Sequence, residues 1–184
     1  SYLLVAAWTG KTVNGEQIVS EATRLVETRE LVSPAVHEVS RDKAVVILGR
    51  GFAYPNSREA ALKVQETCKI SVQGVSTADY LHGPISALTE ETQVFIVAPS
   101  HMPAASITEA VVKIRATNPR IFWIGNGGTP SGDDIILADS NCDDEIVSTL
   151  VDAMVLQRFA LEFAVASGYD PDAPVGLSKV TLTN

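Results

Sequence analysis

The amino-acid sequence predicts an α/β fold, a three-layer domain in which a doubly wound parallel sheet lies between two layers of helices. Short apolar runs alternate with segments of helical period, which is the pattern of βαβ crossovers. The runs are apolar throughout, as expected of strands that are buried on both faces. A chain of 184 residues can bury one sizeable core, whereas two domains would be cramped. We therefore expect residues 1–184 to form a single domain.

The predicted elements follow each other in the order that such a sheet requires. Residues 16–32 carry apolar side chains at helical spacing, and the run AVVIL at 44–48 predicts the first strand. Residues 56–69 predict a helix, with Asn56 or Ser57 as its N-cap. The later predicted elements are a strand (94–98), a helix (106–117), two strands (120–125 and 135–138), a long apolar helix (145–166) and a tail (169–184).

Doubly wound sheets bind ligands beyond the carboxyl ends of their strands, so the loops there are the first places to look for a site. Gly49-Arg50-Gly51 follows the first strand, but the third glycine of a dinucleotide-binding GxGxxG pattern would fall on Tyr54. We therefore predict no nucleotide cofactor. Glycine gives this segment the backbone freedom of a tight strand-to-helix turn, and Arg50 is available to meet an anion or a partner chain.

Composition and charge argue against several classes of protein. The net charge is −8 and Lys and Arg form no run, so we expect no nucleic-acid partner. Cys68 and Cys142 lie far apart and the three histidines form no HxH or HExxH pair, so we expect no metal site. No apolar run approaches the ~20 residues that span a bilayer, so we expect no membrane contact. Free thiols and the lack of a signal peptide indicate a cytoplasmic protein.

The predicted helix at 56–69 carries charged side chains on one face. Glu59, Lys63 and Glu66 stand at positions i, i+4 and i+7. Two interpretations are open: a solvated face with surface ion pairs, or carboxylates and an amine placed for proton transfer on a polar small molecule. His82 lies in a His-Gly-Pro sequence that cannot continue a helix. Its imidazole is therefore placed in a loop, where it can act as an acid or a base near neutral pH.

The run from Gly49 to Pro84, GRGFAYPNSREAALKVQETCKISVQGVSTADYLHGP, is specific enough to suggest a family. It resembles the second sugar isomerase (SIS) domain of the glucosamine-6-phosphate synthase family and its glutaminase-lacking relatives, where GRG leads to YP, a helix EAALKxxE and then HGP. The tail DPDAPVGLSKVTLTN is similar to the carboxyl end of that family. The resemblance extends from about residue 42 to the end and implies a flavodoxin-like fold. Asp79, Tyr80 and Leu81 depart from the family, which has a glutamate and a lysine ahead of HGP.

The resemblance implies catalytic roles for four residues. Glu66 matches the carboxylate that moves a proton between C1 and C2 of the sugar, and Lys63 matches the neighbouring lysine that holds or polarises the sugar oxygens. His82 matches the ring-opening histidine, which the neighbouring subunit donates in the synthase. Lys179 matches the tail lysine that forms a Schiff base with the open keto-sugar. An iminium acidifies the adjacent C–H, so a nearby carboxylate can relay the proton.

Glu59, Arg50 and Ser178 are the further residues that we assign to substrate binding. The resemblance implies a sugar-phosphate or amino-sugar-phosphate substrate, an isomerase or isomerase–deaminase activity, no cofactor, and a homodimer with a composite site. The Ser/Thr loops that hold phosphate in the family's first SIS domain have no counterpart here, and the opening SYLLVAAWTG looks like the end of a helix. We therefore expect the C-terminal half of a longer two-SIS-domain protein. The alternatives are a non-catalytic module that senses a sugar phosphate and a dimerisation domain.

Overall fold

The computed structural model describes residues 7–99, 105–137, 142, 144–173 and 176. The strands are β1 (Ala44–Gly49), β2 (Val72–Ser76), β3 (Thr92–Val97), β4 (Arg120–Ile124) and β5 (Ile135–Ile136). The helices include α1 (Gly15–Glu27), α2 (Ser33–Glu38), α3 (Ala53–Cys68), α4 (Thr77–Leu81), α5 (Ala105–Arg115) and α6 (Glu145–Ala166), with 3-10 turns at Arg29–Leu31 and Pro84–Ala87. The sheet has the order β2-β1-β3-β4-β5, and every neighbouring pair of strands is parallel.

One row of side chains crosses the sheet and forms the centre of its first face. Ile47 pairs with Gly74 on β2 and with Phe95 on β3, and Phe95 pairs with Phe122 on β4. The rings of Phe95 and Phe122 stack with their centroids 4.5 Å apart. Helices α1, α2, α3 and α6 pack on this face, and α4 and α5 pack on the second face, where Trp123 is fully buried. The predicted three-layer α/β fold is confirmed.

Two glycines let α3 pack closely against the first two strands. A Cβ atom on Gly49 would overlap the carbonyl oxygen of Ala53, so the chain can turn from β1 into α3 only because this position has no side chain. A Cβ atom on Gly74 would overlap the backbone carbonyl of Ser57, so β2 lies directly against the start of α3. The Gly-Arg-Gly segment is the tight strand-to-helix turn that the sequence predicts.

The sequence-based prediction missed the edge strand β2 and misplaced the start of α3. Only Val72 is buried in β2, because an edge strand that is partly open to solvent does not need a continuous apolar run. α3 begins at Ala53, so the prediction that Asn56 or Ser57 is its N-cap is wrong. Both residues are buried within the helix, and the Asn56 amide donates to the carbonyl oxygen of Thr149 on α6 at 2.8 Å. The Asn56 side chain therefore serves a contact with a distant helix instead of capping its own.

Other boundaries differ by a few residues from the predicted ones. The helix predicted at 16–32 ends at Glu27, and a 3-10 turn follows at Arg29–Leu31. The strand predicted at 135–138 comprises Ile135–Ile136, and residue 138 lies outside the described residues. These differences leave the order of the layers unchanged.

Candidate active site

The outer face of α3 carries the charged residues that the sequence singles out. The Nζ atom of Lys63 donates a hydrogen bond to Oε2 of Glu66 at 2.8 Å and lies 3.9 Å from Oε1 of Glu59. The side chains of Lys63 and Glu66 are 36% and 30% exposed, so a small molecule can reach both from solvent. The i, i+4 and i+7 spacing thus gathers two carboxylates around one amine.

α3 presents this face to solvent because its other side is needed in the core. Ala60, Val64 and Cys68 are buried among residues of α6 and the first face of the sheet. The charged residues fall on the opposite side of the helix, where Leu62 is also 45% exposed. The local helical period therefore decides which side chains remain accessible, and the packing of α3 holds them in place.

Lys63 keeps its positive charge at neutral pH. Its hydrogen bond with Glu66 raises the pKa of Lys63 above the usual range, and this effect outweighs partial burial, which acts in the other direction. The negative charges of Glu66 and Glu59 raise the Lys63 pKa further. An ammonium group in this position can stabilise negative charge on a substrate oxygen but is a poor nucleophile. The adjacent Glu66 carboxylate has the chemistry of a general base.

His82 lies on the other side of the sheet from this pair. It follows the last residue of α4, is exposed, and donates its backbone N–H to the carbonyl oxygen of Asp79 at 3.1 Å. α4 packs on the second face of the sheet, whereas α3 packs on the first. One chain therefore does not bring the His82 imidazole to Lys63 and Glu66, and the residues predicted for one site are divided between two faces.

A second polar cluster lies on the side of His82, and the sequence reasoning missed its central residue. Glu109 on α5 accepts a hydrogen bond from Nζ of Lys113 at 2.7 Å, and this bond lowers the pKa of Glu109. Arg50 and His82 also lower the Glu109 pKa, so both lie close enough to act on the same carboxylate. The i, i+4 spacing to Lys113 is visible in the sequence, but the approach of Arg50 and His82 to Glu109 is not.

This cluster lies beside the place where the order of the strands reverses. The chain leaves β1 toward β2 on one side and later adds β3 on the other side. Arg50 directly follows β1 and is exposed at the carboxyl edge. Crevices at such a reversal are the usual ligand sites of doubly wound folds. The sequence predicts a site in the loop after β1, and the charged residue Arg50 lies there.

Ser178 and Lys179, which the sequence assigns to the site, lie outside the described residues. Within the ranges that the structure covers, no group of three or more His, Cys, Asp or Glu side chains is placed to hold a metal ion. No helix in the same part of the chain is long and apolar enough to cross a membrane.

Comparison with known proteins places these features in a family. A family model of the SIS domain matches residues 38–167. The chain is 32% identical over 170 residues to the isomerizing glutamine–fructose-6-phosphate aminotransferase of Leifsonia xyli, an alignment that covers 88% of this chain and 27% of that protein. Two solved structures superpose with a TM-score of 0.73. One is the C-terminal domain of the glucosamine-fructose-6-phosphate aminotransferase from Francisella tularensis, at 18% identity over 84% of this chain and 44% of that one. The other is the tagatose-6-phosphate ketose/aldose isomerase from Escherichia coli, at 24% identity over 99% of this chain and 52% of that one.

The chain belongs to the SIS domain family, as its sequence motifs predict. The matched region, residues 38–167, contains the whole sheet, the charged face of α3 and His82. The two superposed structures are less than 25% identical to this chain and support the fold alone. The chain spans less than a third of the length of the curated relatives that it matches, for example 27% of the Leifsonia protein.

Proposed function

We propose that this chain is a catalytic SIS domain of a phosphosugar isomerase or an amino-sugar-phosphate isomerase–deaminase. The proposal rests on the ion pair between Lys63 and Glu66. The Glu66 carboxylate contacts an ammonium group whose raised pKa keeps it charged, and both lie on an accessible helix face. The similar protein named as an isomerizing aminotransferase supports the same class of reaction. The substrate is a hexose phosphate or an amino-hexose phosphate.

The proposed reaction moves one proton between two adjacent carbons of the open sugar, while a hydroxyl proton moves between the oxygens on the same two carbons. Glu66 removes the proton from the carbon beside a carbonyl or an imine and returns it to the neighbouring carbon. Negative charge develops on a sugar oxygen during this transfer, and Lys63 lies beside Glu66 to stabilise it. Lys179 condenses with the keto carbonyl and releases water, and the iminium makes the adjacent C–H more acidic. Hydrolysis of the imine returns the water and frees the lysine.

His82 opens the sugar ring from a second copy of the chain. The sheet separates His82 from Glu66 within one chain, and a two-fold dimer can place His82 of one protomer beside Glu66 of its partner. Arg50 and His82 both lie near the Glu109 carboxylate, so Arg50 enters the composite site together with His82. Its guanidinium can bind the phosphate oxygens of the substrate there. Glu59 and Ser178 are the other residues proposed to bind the sugar.

Complementation between two inactive variants of the full-length protein tests this proposal. Glu66→Gln and His82→Ala should each lower the kcat of hexose-phosphate isomerisation by at least about 100-fold, because acid–base groups contribute this much. Glu16→Gln, an exposed control on α1, should leave kcat unchanged. The two inactive variants expressed together should recover about a quarter of wild-type activity, because half of the dimers are mixed and each mixed dimer contains one intact site.

Wild-type turnover in Glu66→Gln would contradict the catalytic role of Glu66. Variants that form mixed dimers by light scattering and tag pull-down but recover no activity would contradict the composite site. A complete protein that binds a hexose phosphate without turnover, and without a borohydride-trapped adduct on Lys179, would instead be a sugar-phosphate sensor.

A further inference from the structure

A cleft of about 1010 Å³ lies at the amino edge of the sheet. It is lined by residues that lead into β1, β2 and β3 and by part of the second face. Its volume is at the upper end of the ~300–1,000 Å³ that small-molecule sites occupy. Within the described chain, Glu59, Lys63 and Glu66 are not among its lining residues, so the cleft is separate from the charged face of α3.

Two positively charged side chains line this cleft, and their described partners are neutral. Arg41 and Lys69 both lie over the ring of Tyr169, and the charged group of each is 4.6 Å from the ring centroid. Arg41 also donates to the Tyr169 hydroxyl at 2.6 Å and to the carbonyl oxygen of Cys68 at 3.2 Å. Among the residues that the structure describes, neither cation forms an ion pair with a carboxylate. Within the described residues, both cations thus have neutral partners, in a chain whose net charge is −8.

Tyr80 adds a buried phenol whose hydrogen bonds are not met by the described protein. The residue is only 5% exposed and lines the cleft. Across the described ranges, its hydroxyl forms a hydrogen bond with no other residue, and its oxygen is not among the described buried polar atoms that lack a partner. The hydroxyl is therefore accessible from the cleft. Burial of the ring raises the pKa of Tyr80, so the hydroxyl keeps its proton and can donate it to a bound molecule.

The other lining residues limit the charge of that ligand. Lys43 is neutralised by Glu91, whose Oε2 lies 2.8 Å from its Nζ, and Asp42 adds one negative charge to the lining. The remaining positive charge is small and suits one phosphate group better than a polyphosphate. Ser71 and Gln73 contribute a hydroxyl and an amide to the same cleft, which suits a ligand with several hydroxyl groups.

We propose that this amino-edge cleft binds a phosphomonoester with a hydroxylated body. Arg41 and Lys69 hold the phosphate, and Tyr80 and Gln73 form hydrogen bonds with the hydroxyl groups of the body. Because the cleft is separate from the catalytic face of α3, its ligand is an effector of the protein and not its substrate. This site does not depend on the reaction proposed above.

Binding of sorbitol 6-phosphate to this chain, followed by heteronuclear NMR, tests the site. This probe carries a phosphate and hydroxyls but no carbonyl, so it cannot undergo isomerisation. We expect saturable shifts of the Arg41, Lys69 and Tyr80 amides. Lys69→Gln should weaken binding at least about tenfold, because it removes a charge-assisted hydrogen bond. Tyr80→Phe should weaken the binding of sorbitol 6-phosphate and leave the binding of inorganic phosphate unchanged.

Two controls separate this site from other surfaces. Lys113→Gln removes an exposed lysine of α5, and Lys11→Gln removes an exposed lysine ahead of α1, so neither should change the affinity that the Arg41, Lys69 and Tyr80 shifts report. Wild-type affinity in Lys69→Gln, or shifts confined to the charged face of α3, would overturn the assignment to the cleft. Equal affinity for inorganic phosphate and sorbitol 6-phosphate would overturn the role of Tyr80 and Gln73.

Discussion

At the scale of single residues, Lys63 shows how one contact sets the chemistry of a side chain. Its hydrogen bond with Glu66 raises the pKa of Lys63. A group with a raised pKa contributes stability that is fully present below its unfolded pKa and is lost as the pH rises through its folded pKa. The pair therefore persists at neutral pH and weakens only in alkali. Exposed ion pairs contribute only about 0–1 kcal/mol, so the charge of Lys63 matters more for chemistry than for stability.

We predict that Lys63 is less reactive than other exposed lysines, because only the neutral amine reacts with an acylating agent. Competitive labelling with acetic anhydride at pH 8, read by mass spectrometry, should modify Lys63 more slowly than Lys11. Glu66→Gln removes the main cause of the raised pKa and should increase the labelling rate of Lys63 several-fold. Lys11 is the internal control, and its rate should not change. A Lys63 rate that is the same with and without Glu66 would contradict the raised pKa.

At the scale of elements, one carboxylate holds the connection between β4 and β5. Asp134 accepts hydrogen bonds from Nε1 of Trp123 at 2.8 Å, from the backbone N–H of Ser131 at 3.0 Å and from the Arg115 guanidinium at 2.5 Å. Burial raises the pKa of Asp134, but the hydrogen bonds outweigh it and lower the pKa below its ordinary value. This long connection has no helix of its own in the described chain, so its position depends on these bonds.

We predict that Asp134→Asn destabilises the protein at pH 7 and that the difference from wild type shrinks in acid. Loss of a charged, buried acceptor should lower the free energy of unfolding by roughly 1.5–3 kcal/mol. A lowered pKa contributes stability above the unfolded value of ~3.9, and this contribution is lost as the pH falls through the folded pKa. Urea unfolding at pH 7 and below pH 4 measures both quantities. The exposed neighbour Asp133→Asn is the control, and an equal difference at both pH values would contradict the prediction.

A local sequence pattern predicts a strand well when nearly all of its residues are buried. β1, β3 and β4 are almost wholly buried, so each appears as an apolar run. β2 lies at the sheet edge with only Val72 buried, and its sequence VQGVS carries no such signal. The start of α3 was misplaced because the Asn56 side chain serves a contact with Thr149 on a distant helix and not a cap.

At the scale of the whole molecule, the two faces of the sheet share the same strands and should unfold together. Phe95 lies on the first face, where its ring stacks on Phe122 and contacts Phe159 with centroids 5.1 Å apart. Trp123, the neighbour of Phe122 in β4, is fully buried on the second face. A loss of packing on one face therefore affects the strand that carries the other.

We predict that Phe95→Ala lowers the free energy of unfolding by about 3–5 kcal/mol, because it opens a large cavity in the first face. Unfolding followed by circular dichroism and by tryptophan fluorescence should shift by the same amount. The fluorescence change reports Trp123, since Trp8 is 90% exposed in the folded chain. Val19→Ala, at an exposed position of α1, is the control. A fluorescence transition that stays in place while the circular dichroism transition moves would show that the faces unfold separately.

Local spacing in the chain was enough to determine the layer architecture and the shared face of Glu59, Lys63 and Glu66, because the periods of strands and helices are properties of neighbouring residues. Only the tertiary structure decided that His82 and Glu66 lie on opposite faces of the sheet, since this depends on which strands α3 and α4 pack against. The same holds for the cleft that Tyr80 and Lys69 line. Contacts between distant segments depend on strand order and helix packing, which no local pattern records.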